Sequence, residues 1–169
     1  MRKAQTQAYL EFARIRTGPL YRSACLLTSG DTHLAEDLVQ ETLGRMYLVW
    51  NRTSKLGNPA AYAQTVLVRA FLTHQRRRSS TERPIAEPPD LPAGAGSDTT
   101  LRVTLLEALA RLAPKDRAVL VLRYWEDRSI EETAAAMDAT PGAIRTRCVR
   151  ALGRLRDELG GELADLIAH

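Results

Sequence analysis

Arg145, Thr146 and Arg150 recur at spacings that set them on one side of a helix, away from an apolar stripe of Ile144, Cys148, Ala151 and Leu155. Arginine can donate a two-pronged hydrogen bond to guanine, and threonine can meet a base edge or a methyl group. A second cationic run, Arg76-Arg77-Arg78, suits phosphate oxygens. Glu36, Asp37, Gln40 and Glu41 make an acidic and polar patch of the opposite sign. The asymmetry points to two partners of opposite charge, within a net charge of +4. This chemistry is recognition. His33, His74 and His169 are scattered, and neither an H-E-x-x-H pair nor a phosphate loop occurs. Glu36 and Asp37 are adjacent on a helix and point in different directions, which suits no carboxylate pair. No enzyme activity, metal or cofactor is therefore expected.

The stretch from Ser129 to Arg156 must position the cationic set. Ser129 and Glu132 make an S-x-x-E capping box that starts a short helix. Asp138 can occupy a left-handed turn. Thr140 then suits an N-cap and Pro141 the first helical position. Two short helices joined by a tight turn, the second rich in arginine, make a helix-turn-helix. An amphipathic helical hairpin with a solvated arginine face has the same local pattern.

The rest of the chain reads as helix interrupted by turns. Residues 1–28 carry apolar faces, with a break expected at Thr17-Gly18-Pro19 and a new helix starting at Pro19. Residues 32–51 put Leu34, Leu38, Thr42, Met46 and Trp50 on one face. Asn58 and Pro59 open the next helix, which becomes basic toward its end. From Ser79 to Thr99 the helical pattern stops, and prolines, glycines and small polar residues read as a flexible linker. Asp98 suits a cap for a helix carrying Leu101, Leu105, Leu109 and Leu112, and Pro114 starts another, whose Val119, Leu120, Leu122 and Trp125 are expected in a second core. The fold class is all-α: two small helical domains, 1–80 and 100–160, joined by a flexible linker at 81–99, the C-terminal one holding the helix-turn-helix and followed by a short tail at 161–169. Cys25 and Cys148 are too few for a disulfide framework, and no apolar run reaches the roughly 20 residues of a membrane span. A cytoplasmic protein without membrane insertion is expected.

Three segments together resemble a known family. HLAEDLVQETLGRMYLVW at 33–50, NPAAYAQTVLVRAFLTHQRRR at 58–78, and the region from Leu109 to Arg156 are similar, in sequence and order, to bacterial sigma factors of the extracytoplasmic-function type, with the actinobacterial SigE-like branch nearest. The resemblance implies a factor that binds core RNA polymerase and reads the −35 and −10 elements of promoter DNA. Asp37, Leu38, Gln40 and Glu41 would serve polymerase binding. Lys55, Leu56, Gly57 and Asn58 would form the loop that captures a flipped base, with Tyr62, Thr65 and Arg69 lining the −10 face beside it. Arg69 stands where many relatives have asparagine. Arg76, Arg77 and Arg78 would grip phosphates. Thr140, Arg145, Thr146, Arg147 and Arg150 would read the −35 element, Thr140 at a phosphate. Asp138 stands where relatives usually have glycine. The resemblance also implies a monomer when free, a linker threading the polymerase, and an anti-sigma partner in many cases. A stand-alone regulator that binds an operator without polymerase is the alternative, although it leaves the acidic segment and the linker without a role.

Overall fold

The computed structural model describes residues 2–55, 57–79 and 97–160, leaving aside the side chains of 97–99. The described residues form seven α-helices and one π-helical turn, with no strand among them: α1 (Lys3–Leu27), α2 (Thr32–Thr53), α3 (Pro59–Ser79), α4 (Ser97–Ala110), α5 (Pro114–Leu120), the π turn Val121–Trp125, α6 (Ile130–Ala136) and α7 (Pro141–Leu159). The linker positions 81–96 and the tail 161–169 lie outside the described residues.

The N-terminal domain is a three-helix unit in which α2 packs on both α1 and α3. Its core is Leu20, Leu27, Leu38, Met46, Leu67 and Phe71, each side chain out of contact with water. Side chains of this kind contribute about 2 kcal/mol each when fully buried. Tyr9 closes the far end. Its hydroxyl donates to the Leu43 carbonyl at 2.6 Å, and its ring meets Tyr47 and Trp50 edge-on at 5.1 and 5.7 Å.

Some expectations fail locally. α1 is not broken at Pro19. A proline inside a helix removes one N–H and crowds the carbonyl four residues back, at about 3 kcal/mol. The following turn buries Leu20, Ser23, Ala24 and Leu27, and that packing keeps α1 in line. Asp98 is not a cap, because α4 already starts at Ser97, so the linker ends earlier than expected. Trp125 is 54% exposed instead of lying in a second core. The wider π turn carries one more residue per turn and swings Tyr124 and Trp125 outward.

The C-terminal domain has two small apolar clusters of its own. Leu109, Leu112, Leu120 and Ala151 join α4, α5 and α7, and Val119, Ala134, Ile144 and Cys148 hold the helix-turn-helix together. A third set of its residues, Ala118, Val121, Leu122 and Ala136, belongs to the core of the N-terminal domain, so Leu122, expected in the second core, lies in the first instead because α5 and the π turn pack on α1 and α3. α5 lies on α1 and α3, and α6 lies on α3. The two domains are therefore packed face to face.

Candidate nucleic-acid interface

The helix-turn-helix is built as its sequence requires. The Ser129 hydroxyl accepts from the Glu132 N–H at 3.0 Å, and the Glu132 carboxylate accepts from the Ser129 N–H at 3.2 Å, closing the capping box of α6. The Ser129 N–H first, and the Ser129 side chain after it, hold the Glu132 carboxyl below its ordinary pKa. Asp138 takes φ 52° in the turn. The Thr140 hydroxyl then accepts from the Ala143 N–H at 3.1 Å, with Pro141 at the first helical position of α7. Ile144, Cys148 and Ala151 are buried, as their spacing predicts.

Arg145, Thr146 and Arg150 are exposed on the opposite side. Arg145 approaches Glu131 of α6 at 3.8 Å, both side chains well exposed, so salt and water screen that pair. The first turn of α7 presents N–H groups and the positive end of a 19-residue helix beside Thr140, a setting that suits a phosphate. Arg147 is held differently from Arg145 and Arg150. Its guanidinium donates to Asp116 of α5 at 2.8 Å, and Arg154 donates to the other oxygen of the same carboxylate at 3.1 Å. Asp116 is only 3% exposed. The acid draws both arginines to the inner edge of α7, where they brace the reader.

On α3, Tyr62, Thr65 and Arg69 share one face at spacings of three and four. Asn58 caps the helix, its side-chain oxygen accepting from the Ala61 N–H at 3.1 Å. Gly57 takes φ 82°, a left-handed conformation that glycine adopts without strain, in the loop before it. Leu56 lies outside the described residues. Arg76 donates to Thr73 at 3.2 Å within the last turns of α3, where Arg77 and Arg78 follow. The Tyr62–Arg69 face is partly covered by the C-terminal domain, with Tyr62 and Arg69 still exposed and Thr65 half-buried. Arg69 donates through Nε to the Ala136 carbonyl at 3.0 Å and through a terminal nitrogen to the Ala135 carbonyl at 3.1 Å. Arg128 donates to the Thr65 hydroxyl at 2.8 Å and to the Ala61 carbonyl.

On α2, Asp37, Gln40 and Glu41 are exposed, and Glu41 pairs with Arg45 at 2.6 Å. Leu38 is 2% exposed and sits in the core, so it supports this face without offering itself to a partner. Sequence reasoning missed Leu48, which is 81% exposed and lies on the same stripe one turn and more beyond Glu41 and Gly44. An apolar side chain continuing an acidic stripe is the signal that could have found it.

Both cysteines are free, and burial pushes each thiol above its ordinary pKa, which disfavours the reactive thiolate. Among the described residues, no cluster of His, Cys, Asp and Glu could hold a metal ion, and no helix is long and apolar enough to cross a membrane.

Two family models match the chain: sigma-70 region 2 over residues 15–81 and sigma-70 region 4 over residues 102–155. The chain is 37% identical over 150 residues to the RNA polymerase sigma-E factor of Streptomyces coelicolor, which covers 88% of this chain and 84% of that protein. To the RNA polymerase sigma-E factor of Streptomyces avermitilis it is 36% identical over 170 residues, 100% of this chain and 93% of the other. It is 32% identical over 166 residues to the ECF RNA polymerase sigma factor SigE of Mycolicibacterium smegmatis, covering 93% of this chain and 63% of that one. Among solved structures, the sigma factor RpoE of Bartonella quintana, in complex with the anti-sigma factor NepR, has the same fold at a TM-score of 0.70 and 23% identity, covering 90% of this chain and 97% of that one.

Proposed function

The chain belongs to the sigma-70 family as an extracytoplasmic-function sigma factor of the SigE-like branch, a factor that directs transcription, and from that premise we propose which of its surfaces do the work. The exposed acids of α2, Asp37, Gln40 and Glu41, with Leu48 beside them, dock on core RNA polymerase. Negative charge there steers a basic partner surface, and the apolar side chain adds buried area. The loop 55–58 and the α3 face of Tyr62, Thr65 and Arg69 read the −10 element. Arg76, Arg77 and Arg78 neutralise phosphates, which adds affinity without sequence information. Arg145, Thr146 and Arg150 read the −35 element while Thr140 and the α7 N-terminus hold a phosphate. Arg147 sets the angle of that helix. The factor does no covalent chemistry of its own. It acts in the cytoplasm, is a monomer when free, and takes an anti-sigma protein as a further partner, as the solved relative of like fold does.

One observation carries this reading: α7 offers Arg145, Thr146 and Arg150 outward from a fully capped helix-turn-helix whose other side is clamped to its own domain. Polymerase then holds both readers at one spacing, so two weak half-sites behave as one strong site. A stand-alone operator-binding regulator is not favoured, because both sigma regions are matched in one chain.

Run-off transcription with core polymerase over a promoter library tests the assignment. Arg145→Ala is expected to relax the selected −35 motif, and Arg69→Asn to shift the selected −10 motif. Unchanged motifs in both variants would overturn the residue roles.

A further inference from the structure

A cleft of about 220 Å³ opens along the seam where α1 and α3 meet the loop before α6. Its two walls carry opposite chemistry. The wall from the N-terminal domain holds Arg16 of α1 and Gln64 of α3, and the wall from the C-terminal domain holds Glu126, Asp127, Arg128 and Glu132. One guanidinium against three carboxylates leaves the second wall negative, and Arg128 already donates to Thr65 and Ala61. Glu126 accepts from the Ser23 hydroxyl through one oxygen, and Glu132 from the Ser129 N–H through one, so each keeps an oxygen for a further donor. Arg16 is half-buried and forms no ion pair or hydrogen bond among the described residues, and its Nε is sealed in without a partner. Opposite charges therefore face each other across the cleft without meeting. Gln64 is 2% exposed, and neither end of its amide is bonded to protein. Buried polar groups left unpaired destabilise a fold, and a bound molecule that pairs with them offsets that loss.

We infer that this cleft binds a small zwitterion, a free α-amino acid, with its carboxylate on Arg16 and its ammonium among Glu126, Asp127 and Glu132. A lone anion would meet the repulsion of the acidic wall, and a lone cation would leave Arg16 unpaired. A molecule that carries both charges a few bonds apart satisfies the two walls together, and Gln64 offers it donors and an acceptor. Charge-assisted hydrogen bonds at both ends are stronger than neutral ones, which lets a ligand of few atoms hold. Size points the same way. The cleft has room for several waters, at about 30 Å³ for each in the liquid. It falls short of the roughly 300 Å³ at which pockets for larger organic ligands begin, so an amino acid fits it better than a nucleotide. Because the walls come from two domains, an occupied cleft ties α1 and α3 to the loop before α6. The site uses none of the exposed donors of α7 and none of the acids of α2, so it stands apart from the roles proposed for those helices.

The test follows the isotope-labelled full chain by NMR during titration with glycine, L-alanine and L-glutamine, and with acetate and methylammonium as single-charge controls at the same ionic strength. The amino acids are expected to move the Arg16 Nε–H and Gln64 side-chain amide resonances, with a Kd below about 1 mM for the tightest of them, and to raise the Tm as their concentration rises. Both controls are expected to leave those resonances in place. Arg16→Gln and Asp127→Asn are each expected to weaken binding about tenfold. Asparagine tolerates the left-handed conformation that Asp127 holds at φ 53°, so that variant removes the charge alone. Gln64→Met removes the amide at similar volume and is expected to weaken binding by less while raising the Tm of the free chain. Should one charge variant lose helicity, the other and Gln64→Met decide. Resonances of Arg16 and Gln64 that stay in place with every amino acid at millimolar concentration would mean that the cleft holds solvent only, and would overturn the site. Equal binding of acetate or methylammonium, or undiminished binding in the folded charge variants, would overturn it as well.

Discussion

Asp116 and Arg147 form a 2.8 Å ion pair between α5 and the reader helix, with the acid nearly sealed from water and the arginine about one-third exposed. Arg154 completes the arrangement at 3.1 Å. Removing the acid leaves two guanidinium groups that water can partly recover, so the loss is smaller than for a wholly buried pair. Asp116→Asn is expected to cost about 2 kcal/mol in urea unfolding. Arg147→Ala is expected to lower stability while leaving the selected −35 base sequence intact, in contrast to Arg145→Ala. A selected sequence that changed in Arg147→Ala would return that residue to the reading face.

The caps of α6 and α7 make a second test. Ser129→Ala and Thr140→Ala are each expected to cost about 1 kcal/mol. Glu132 adds a pH dependence. Its carboxyl is held below the ordinary value by the Ser129 N–H, so the folded state favours the charged form. Its stabilisation is therefore complete above the unfolded pKa of about 4.3 and disappears as pH falls through the lower folded value. Glu132→Gln should be less stable than the native chain at neutral pH and indistinguishable from it in strong acid, as judged by thermal melts across that range.

Arg117 offers the opposite case. It is 8% exposed, lies 5.4 Å from the centre of the Phe71 ring, and has no carboxylate among the described residues. Burial alone pushes its pKa down to about 10. The unfolded chain then holds the proton more tightly, so the charged guanidinium opposes folding at neutral pH, and its cost fades as pH rises from about 10 toward the higher value of the unfolded chain. Arg117→Met keeps the length and removes the charge. A gain of about 1 kcal/mol, or a Tm higher by about 3 °C, is expected for the free protein. A lower Tm would mean that the Ser29 bond and the Phe71 contact outweigh the desolvation.

Phosphate and base contacts separate by salt. Arg76→Ala is expected to weaken promoter binding of the polymerase complex for every sequence alike, and to reduce the slope of log affinity on log salt by about 1. Arg145→Ala is expected to cost about 1–3 kcal/mol at one base position and little elsewhere. Titrations at several salt concentrations on matched and mismatched promoters tell the two apart.

Much of this was legible in the sequence because local chemistry decided it. Asn58-Pro59, Ser129 with Glu132, and Thr140-Pro141 each specify a helix start in a few residues, and each is found as read. The period of Ile144, Cys148 and Ala151 fixed which side of α7 faces outward. What escaped was set by partners distant in the chain. Arg147 is an ordinary surface arginine until Asp116, 31 residues earlier, is placed beside it. On α3, Ala63, Gln64 and Val68 are buried along with Val66, Leu67, Ala70 and Phe71, because a second domain covers part of it. Pro19 suggested a break that packing of the next turn overrides. Arg69 and Asp138, noted separately as departures from the usual family residues, stand 3.6 Å apart across the seam.

Gln64 lines the cleft where α3 meets the loop before α6, 2% exposed, with neither its amide nitrogen nor its oxygen bonded to protein. An amide stranded in that way gains hydrogen bonds the moment water reaches it. Permanent joints in proteins exclude such groups, whereas this joint contains one alongside an unneutralised guanidinium. Wetting therefore returns part of the work needed to part the halves, which favours a reversible hinge over a permanent weld.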